Sequence, residues 1–118
     1  MVKIFVYGSL RKGMRNHSEE MDAYFLQNDT IKNYKMYSLR YYPFIISGNG
    51  IIQGEVYDIP EDMFNQIDGM EINAGYKRVT NKTENGIMAI YYIFESMPIH
   101  NRRPEIVEGG DWKKWSQQ

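Results

Sequence analysis

Residues 2–13 read VKIFVYGSLRKG, and the prediction of the fold starts from this stretch. The β-branched and aromatic run from Val2 to Tyr7 predicts a strand that ends at Gly8. A loop bounded by Gly8 and Gly13 follows it. Backbone amides exposed in such a loop can receive a small carboxylate or a phosphate. The chain therefore opens with a strand that leads into a candidate anion-binding loop.

Two helices are predicted after this strand in the sequence. Asn16 and Glu19 have the spacing of a reciprocal capping pair, which predicts a helix start. The apolar face of this first helix is Met21, Tyr24, Phe25 and Leu26. Pro60 opens a second helix, with acidic residues in its first turn. Its inward face is Met63, Phe64, Ile67 and Met70.

The remaining pattern predicts strands. Apolar spacing predicts a strand over 30–39, a short buried segment over 44–46 and a strand over 51–59. Within the last of these, Gly54 indicates a bulge or a close backbone approach, whereas the glycines at 48 and 50 indicate a break. A hairpin over 76–82 and 87–94 turns near Asn85-Gly86. Trp112 and Trp115 indicate that the polar tail docks on the domain. This order predicts a mixed α/β fold, a single domain over 1–118 around a curved or closed sheet.

Composition excludes several classes of function. The chain has 118 residues, a formal net charge of −1, two histidines and no cysteine. It therefore has no disulfide, no thiolate nucleophile and no cysteine-based metal site. His17 and His100 lack a ligand-like pattern, so no metal site is expected. A near-neutral chain without a basic block disfavours nucleic acid and anionic membranes as partners. The apolar N-terminus is too short for a signal peptide, so a cytoplasmic location is expected.

The loop from Gly8 to Gly13 allows a nucleotide hypothesis and a carboxylate hypothesis. Its glycine spacing is that of a phosphate-binding loop, but Met14 and Arg15 stand where that motif requires Lys and Ser or Thr. Ser9 is not a nucleophile elbow, because Tyr7 and Arg11 occupy the positions that this pattern reserves for glycine. The milder hypothesis is that the amides of Gly8, Ser9 and Leu10 receive a small carboxylate.

Glu71 is the candidate acid–base residue. It is predicted to lie just past the second helix, in a loop bracketed by Gly69 and Gly75. The negative end of a helix dipole raises the pKa of a nearby carboxyl, so such a group exchanges protons near neutrality. The alternative is an ordinary surface glutamate that pairs with Lys77 or Arg78.

Five short motifs together resemble the γ-glutamylcyclotransferase-like proteins, in particular the compact branch with the γ-glutamylamine cyclotransferases and AIG2-like proteins. They are Tyr7-Gly8-Ser9-Leu10, Tyr42-Pro43, Gly54-Glu55-Val56-Tyr57, Asp68-Gly69-Met70-Glu71 with Tyr76-Lys77-Arg78, and Gly110-Asp111-Trp112. The resemblance implies an α+β fold: a small closed or strongly curved β-barrel with two or three flanking helices. It also implies a cavity at one end, where the loop and the acidic residue meet.

The resemblance implies a role for each site residue. Glu71 is the general acid/base, the amides of Gly8, Ser9 and Leu10 hold the α-carboxylate of the substrate, and Tyr7 lines the pocket. Tyr76 is a wall residue. Phe44 stands where a smaller residue often follows the proline, which implies an altered leaving-group pocket.

The activity implied is an acyltransferase- or lyase-type cyclisation that releases 5-oxoproline and an amine from a γ-glutamyl amine or amino acid. Because the nucleophile is the α-amine of the substrate, the reaction needs no cofactor. A non-catalytic module that binds a small carboxylate on the same fold is the alternative. The expected partner is the small-molecule substrate alone, with the protein a monomer or homodimer, and the amine that leaves is not defined by the sequence.

Overall fold

A computed structural model of the protein describes residues 1–99 and 103–117. The strands are β1 (Val2–Val6), β2 (Phe25–Ser38), β3 (Pro43–Ile59), β4 (Lys77–Lys82), β5 (Met88–Ile93) and β6 (Glu105–Ile106). The α-helices are α1 (Glu19–Asp22), α2 (Glu61–Asn73) and α3 (Trp112–Ser116), and a 3-10 turn covers Glu108–Gly110.

The six strands form one curled sheet in the order β4-β5-β1-β3-β2-β6. Strand β1 pairs with β5 in parallel, and the other neighbouring pairs are antiparallel. In the part of the chain that the structure describes, β4 and β6 remain the two edges. The predicted α+β class, the strongly curved sheet and the flanking helices are confirmed, and the sheet is a half-barrel.

The first predicted helix is wrong over most of its length. Helix α1 has only four residues, and Phe25 and Leu26 begin β2. The ring of Phe25 packs edge-on against Tyr57 at 5.6 Å, and its backbone pairs with the same residue. Pairing with β3 therefore overrides the helical spacing of the apolar side chains. Asn16 does not cap a helix, since its side-chain amide donates to Ser9 Oγ at 2.9 Å.

Strand β3 is longer than the sequence predicted. It runs without a break through the glycines at 48 and 50, because β2 pairs with it on both sides of them. The pairing register shifts between Lys32 and Tyr34, where Asn33 has a φ of 72°. The glycines thus mark an irregularity inside a long hairpin rather than its end.

Strand β1 is buried on both faces of the sheet. Phe5 and Tyr7 belong to one apolar cluster with Val56 and Tyr91, while Ile4 and Val6 belong to a second cluster with Tyr57, Ile67 and Tyr92. This alternation explains the continuous apolar run in the sequence. The tail docks as predicted, since Trp112 is buried in the first cluster. No helix formed by residues 1–99 and 103–117 combines the length and the apolar character that crossing a bilayer requires.

Gly54 lies where β1 and β3 approach each other closely. A Cβ added there would overlap the carbonyl oxygen of Val6 and come within 2.5 Å of the Phe5 ring, which confirms the predicted close approach. We expect Gly54→Ala to lower the free energy of unfolding by roughly 1–3 kcal/mol through overpacking. Thermal unfolding measures the change. Gly69→Ala is the matched control, because a Cβ there meets nothing within 4 Å and alanine favours the helix. A Gly54→Ala variant as stable as Gly69→Ala would contradict the prediction that a side chain at position 54 overpacks the contact between β1 and β3.

Candidate active site

A cavity of about 600 Å³ opens at the carboxyl end of β1. Its walls are formed by the loop after β1, the last turn of α2 and the turn between β2 and β3. The six predicted site residues all line it: Tyr7, Gly8, Ser9, Leu10, Glu71 and Tyr76. Small-molecule sites typically occupy 300–1,000 Å³. The fold thus brings residues that are far apart in the sequence to one cavity of ligand size.

The loop after β1 is a hydrogen-bonded turn. The amide of Arg11 donates to the Gly8 carbonyl at 3.1 Å, and the amide of Asn16 donates to the Ser9 carbonyl at 2.8 Å. Within residues 1–99 and 103–117, no acceptor takes the amides of Gly8, Ser9 or Leu10. These amides can therefore donate to an anion in the cavity.

Glu55 holds this loop, and the sequence reasoning assigned it no role. One carboxylate oxygen accepts from the Lys12 amide and from the Tyr57 hydroxyl, and the other accepts from Arg11 Nε, each at 2.9 Å. Burial by itself raises the pKa of Glu55, but the hydrogen bonds from Lys12, Arg11 and Tyr57 bring that pKa below its ordinary value. A charged residue in the apolar β3 was the sequence signal for this anchor.

Asp111 ties the tail to the same loop. Its Oδ1 accepts from Arg11 Nη1 at 3.0 Å and from the amide of Lys114 at 3.1 Å, so it caps α3. Arg11 is itself buried and bridges Glu55 and Asp111. Asp111 therefore anchors the tail. The loop after β1 is therefore fixed from β3 and from the C-terminal segment.

Glu71 lies in the last turn of α2, not in the loop predicted for it. The helix continues through Gly69 to Asn73, and the backbone turns at Gly75, where φ is 97°. Burial raises the pKa of Glu71 from 4.5 to about 7. The predicted direction of the shift is therefore right, although its leading cause is loss of solvent and not the helix dipole. A carboxyl with this pKa is poised to accept and donate a proton near neutral pH.

Three tyrosines surround this carboxyl with fixed hydroxyls. Tyr7 donates to the Tyr92 carbonyl at 2.7 Å, Tyr92 donates to Asp68 Oδ1 at 2.7 Å, and Tyr76 donates to the Pro43 carbonyl at 2.6 Å. Burial, together with the charge of Glu71, raises the pKa of each of these phenols above its ordinary value. They stay protonated at neutral pH and hold their rings against the cavity.

The implied effect of Phe44 on the leaving-group pocket stays a prediction. Phe44 is fully buried and does not line the cavity. Its ring stacks on Tyr37 at 5.6 Å and on Phe94 at 4.8 Å, and Phe94 packs in turn against Tyr76, which lines the cavity. Tyr41, Tyr42 and Pro43 form this part of the wall instead.

At the positions where the phosphate-binding motif requires Lys and Ser or Thr, the chain has Met14 and Arg15. Met14 packs against the apolar core, and Arg15 lines the cavity. His17 contacts the Leu10 carbonyl at 3.0 Å and Asp22 Oδ1 at 2.8 Å, and His100 lies outside the described residues. In the described ranges no three His, Asp or Glu side chains are grouped as metal ligands.

Sequence comparison identifies relatives along nearly the whole chain. A family model described as "Gamma-glutamyl cyclotransferase, AIG2-like" matches residues 4–114. The gamma-glutamylcyclotransferase family protein YtfP of Escherichia coli K12 is 36% identical over 112 residues, which cover 94% of this chain and 96% of that protein.

Solved structures share the fold. The crystal structure of an uncharacterized protein from Pyrococcus horikoshii superposes with a TM-score of 0.83 at 33% identity, covering 99% of this chain and 94% of that one. An AIG2-like protein from mouse superposes with a TM-score of 0.61 at 22% identity, covering 86% of this chain and 80% of that one. At that identity the second comparison speaks for the fold alone.

Proposed function

Because the chain belongs to the gamma-glutamyl cyclotransferase, AIG2-like family, we propose that it is an intramolecular γ-glutamyl cyclotransferase. Its products are 5-oxoproline and an amine, released from a γ-glutamyl amine or γ-glutamyl amino acid. One observation carries the proposal: a half-buried carboxyl with a pKa of about 7 lines the same cavity as the amides of the loop after β1. The first group moves protons, and the second binds an anion.

In the proposed complex, the amides of Gly8, Ser9 and Leu10 hold the α-carboxylate of the γ-glutamyl group. Tyr7 and Tyr76 are the walls, with their hydroxyls already engaged by carbonyls of the protein. This arrangement folds the substrate so that its α-amine meets its own γ-carbonyl. Holding the two groups together supplies effective concentration, which is the main requirement of an intramolecular reaction.

The reaction then balances without water or a second reactant. Glu71 accepts a proton from the α-ammonium group, and the freed lone pair forms a bond to the γ-carbonyl carbon. The electrons of the original amide C–N bond go to the leaving nitrogen, which receives the proton from Glu71. The new ring nitrogen then releases a second proton by the same route, so that 5-oxoproline leaves as a neutral lactam and the amine leaves as an ammonium ion. One carboxyl performs both transfers, which suits a pKa near neutrality. Every atom of the substrate appears in the two products.

Incubation with a panel of γ-glutamyl amines and γ-glutamyl amino acids tests the proposal. Mass spectrometry is expected to detect 5-oxoproline and the matching free amine in equal amounts. Binding of 5-oxoproline without turnover of any panel member would instead support the non-catalytic carboxylate-binding module.

The pH dependence of kcat/KM is expected to report Glu71. Burial raises its pKa to about 7, so below that pH both Glu71 and the substrate amine are protonated and no base is left. We expect kcat/KM to fall about tenfold for each pH unit below 7. Initial rates of 5-oxoproline release from pH 5 to 8 measure this limb. A limb near pH 4, the range of a solvated glutamate, would contradict the role of a buried Glu71.

A further inference from the structure

A second cavity, of about 370 Å³, adjoins the first. Ser9, Arg15 and Tyr41 line both cavities, so the two share a wall at the loop after β1. A ligand held by that loop can therefore extend from one cavity into the other. The remaining walls of the second cavity come from the turn between β2 and β3 and from α3, through Arg40, Trp112 and Trp115.

The second cavity carries positive charge. Among residues 1–99 and 103–117, Arg15 and Arg40 line it and no carboxylate does. Across residues 1–99 and 103–117, neither of these arginines forms an ion pair, whereas the nearby Arg11 is held by Glu55 and Asp111. In the part of the chain that the structure describes, Glu71 is the one acidic residue that lines either cavity. The site thus has its acid–base carboxyl in one cavity and guanidinium groups toward the other.

Arg40 is an exposed residue of the turn between β2 and β3, and its backbone conformation is unusual. It has a φ of 80°, a conformation uncommon for residues other than glycine and asparagine, and its amide donates to Ser38 Oγ at 3.1 Å. Its guanidinium lies 5.1 Å from the centre of the Tyr41 ring. Such conformations persist where the surrounding structure imposes them, often beside ligand sites.

Two indole rings supply the apolar part of this cavity. Trp112 is buried in the core, and Trp115 packs against the same cluster at its edge. Both are fixed by α3, whose start Asp111 caps. Rigid aromatic walls beside guanidinium groups match a ligand that has a carboxylate and a large apolar side chain.

We infer that the second cavity receives the leaving group, and that this leaving group is an amino acid or the N-terminal residue of a short peptide. Its carboxylate pairs with Arg15 and Arg40, and its apolar side chain packs on Trp112 and Trp115. The inference rests on the proposed function, because it assigns the part of the substrate that the cyclisation expels. A γ-glutamyl polyamine would place a cation beside two guanidinium groups and is disfavoured.

A matched pair of compounds tests the inference: γ-glutamyl-phenylalanine and γ-glutamyl-phenethylamine, which differ only in the carboxylate of the leaving group. Their dissociation constants are measured by calorimetry on Glu71→Gln, which removes the acid–base group. We expect γ-glutamyl-phenylalanine to bind about tenfold more tightly, the scale of a charge-assisted contact at a partly solvated site. Adding Arg15→Gln and Arg40→Gln is expected to reduce this preference to about twofold or less.

The control removes two positive charges elsewhere. Lys3→Gln with Lys82→Gln, both on exposed strand positions, is expected to keep the preference for γ-glutamyl-phenylalanine. Equal dissociation constants for the two compounds, or a preference that survives loss of both arginines, would overturn the inference.

Turnover by the wild-type protein separates this inference from the proposed function. Release of 5-oxoproline from both compounds with equal kcat/KM would support the activity and overturn the leaving-group assignment. A carboxylate preference that depends on both arginines, without 5-oxoproline from either compound, would support the second cavity as a carboxylate site and overturn the reaction.

Discussion

Glu71→Gln is expected to lower kcat for 5-oxoproline release by about 10²- to 10⁴-fold, the contribution of a positioned acid–base group. The amide has nearly the shape of the carboxyl but neither accepts the proton of the substrate ammonium nor returns one to the leaving nitrogen. KM is expected to change little, because the loop amides and the aromatic walls are untouched. Steady-state rates on the best substrate of the panel measure both constants.

The matched control is Glu61→Gln, an exposed glutamate in the first turn of the same helix. It removes the same charge from α2 and is expected to keep kcat. Equal kcat for Glu71→Gln and the wild type would contradict the role of Glu71.

Stability provides a second readout for Glu71→Gln. Because burial raises the pKa of Glu71 from 4.5 to about 7, the folded protein binds this proton more tightly than the unfolded chain. Stability is therefore lost as the pH rises from about 4.5 to 7, by an amount on the order of 3 kcal/mol. The variant escapes this loss, so at pH 8 it is expected to unfold at or above the wild-type temperature. A loss of activity with retained stability separates chemistry from misfolding.

Glu55→Ala is expected to lower the free energy of unfolding by roughly 3–5 kcal/mol. The substitution leaves the buried Arg11 guanidinium with Asp111 as its remaining acidic partner, and it removes the acceptor of the Lys12 amide and the Tyr57 hydroxyl. The weaker compensation of the buried Arg11 charge and the two donors left without an acceptor account for the loss. Chemical denaturation monitored by tryptophan fluorescence measures it.

Two variants distinguish the contribution of the ion pair to stability from that of the neighbouring hydrogen bonds. Tyr57→Phe removes one hydrogen bond to Glu55 and is expected to cost about 1 kcal/mol. Removing both charges with Arg11→Leu and Glu55→Leu is expected to recover much of the stability lost in Glu55→Ala. A Glu55→Ala variant no less stable than Tyr57→Phe would show that this network does not hold the loop.

The sequence predicted those parts of the fold that depend on local spacing. Strand β1, helix α2 and the β4–β5 hairpin carry their own periodicity and turn residues, so their positions followed from the residues themselves. The error at Phe25 and Leu26 has a tertiary cause. These residues have helical spacing, but β3 offers them backbone pairing and the Tyr57 ring.

The candidate site was also predicted only in part from the sequence. Motif order predicted Glu71 and the loop residues from Tyr7 to Leu10 as members of one pocket, and the folded chain lines one cavity with them. It gave no role to Glu55, because a glutamate in a strand does not reveal which amide, hydroxyl or guanidinium lies opposite. Those partners come from three separate segments of the chain.

The sequence by itself determined the fold class, the family and the identity of the candidate residues, since these depend on composition, spacing and motif order. Only the tertiary structure decided the protonation behaviour of Glu71, the anchoring of the loop by Glu55 and the second cavity with its two arginines. The physical reason is that burial, hydrogen-bond partners and cavity walls are properties of distant segments in contact. The sequence shows which groups are present, but it does not show which of them are buried next to one another in the folded chain.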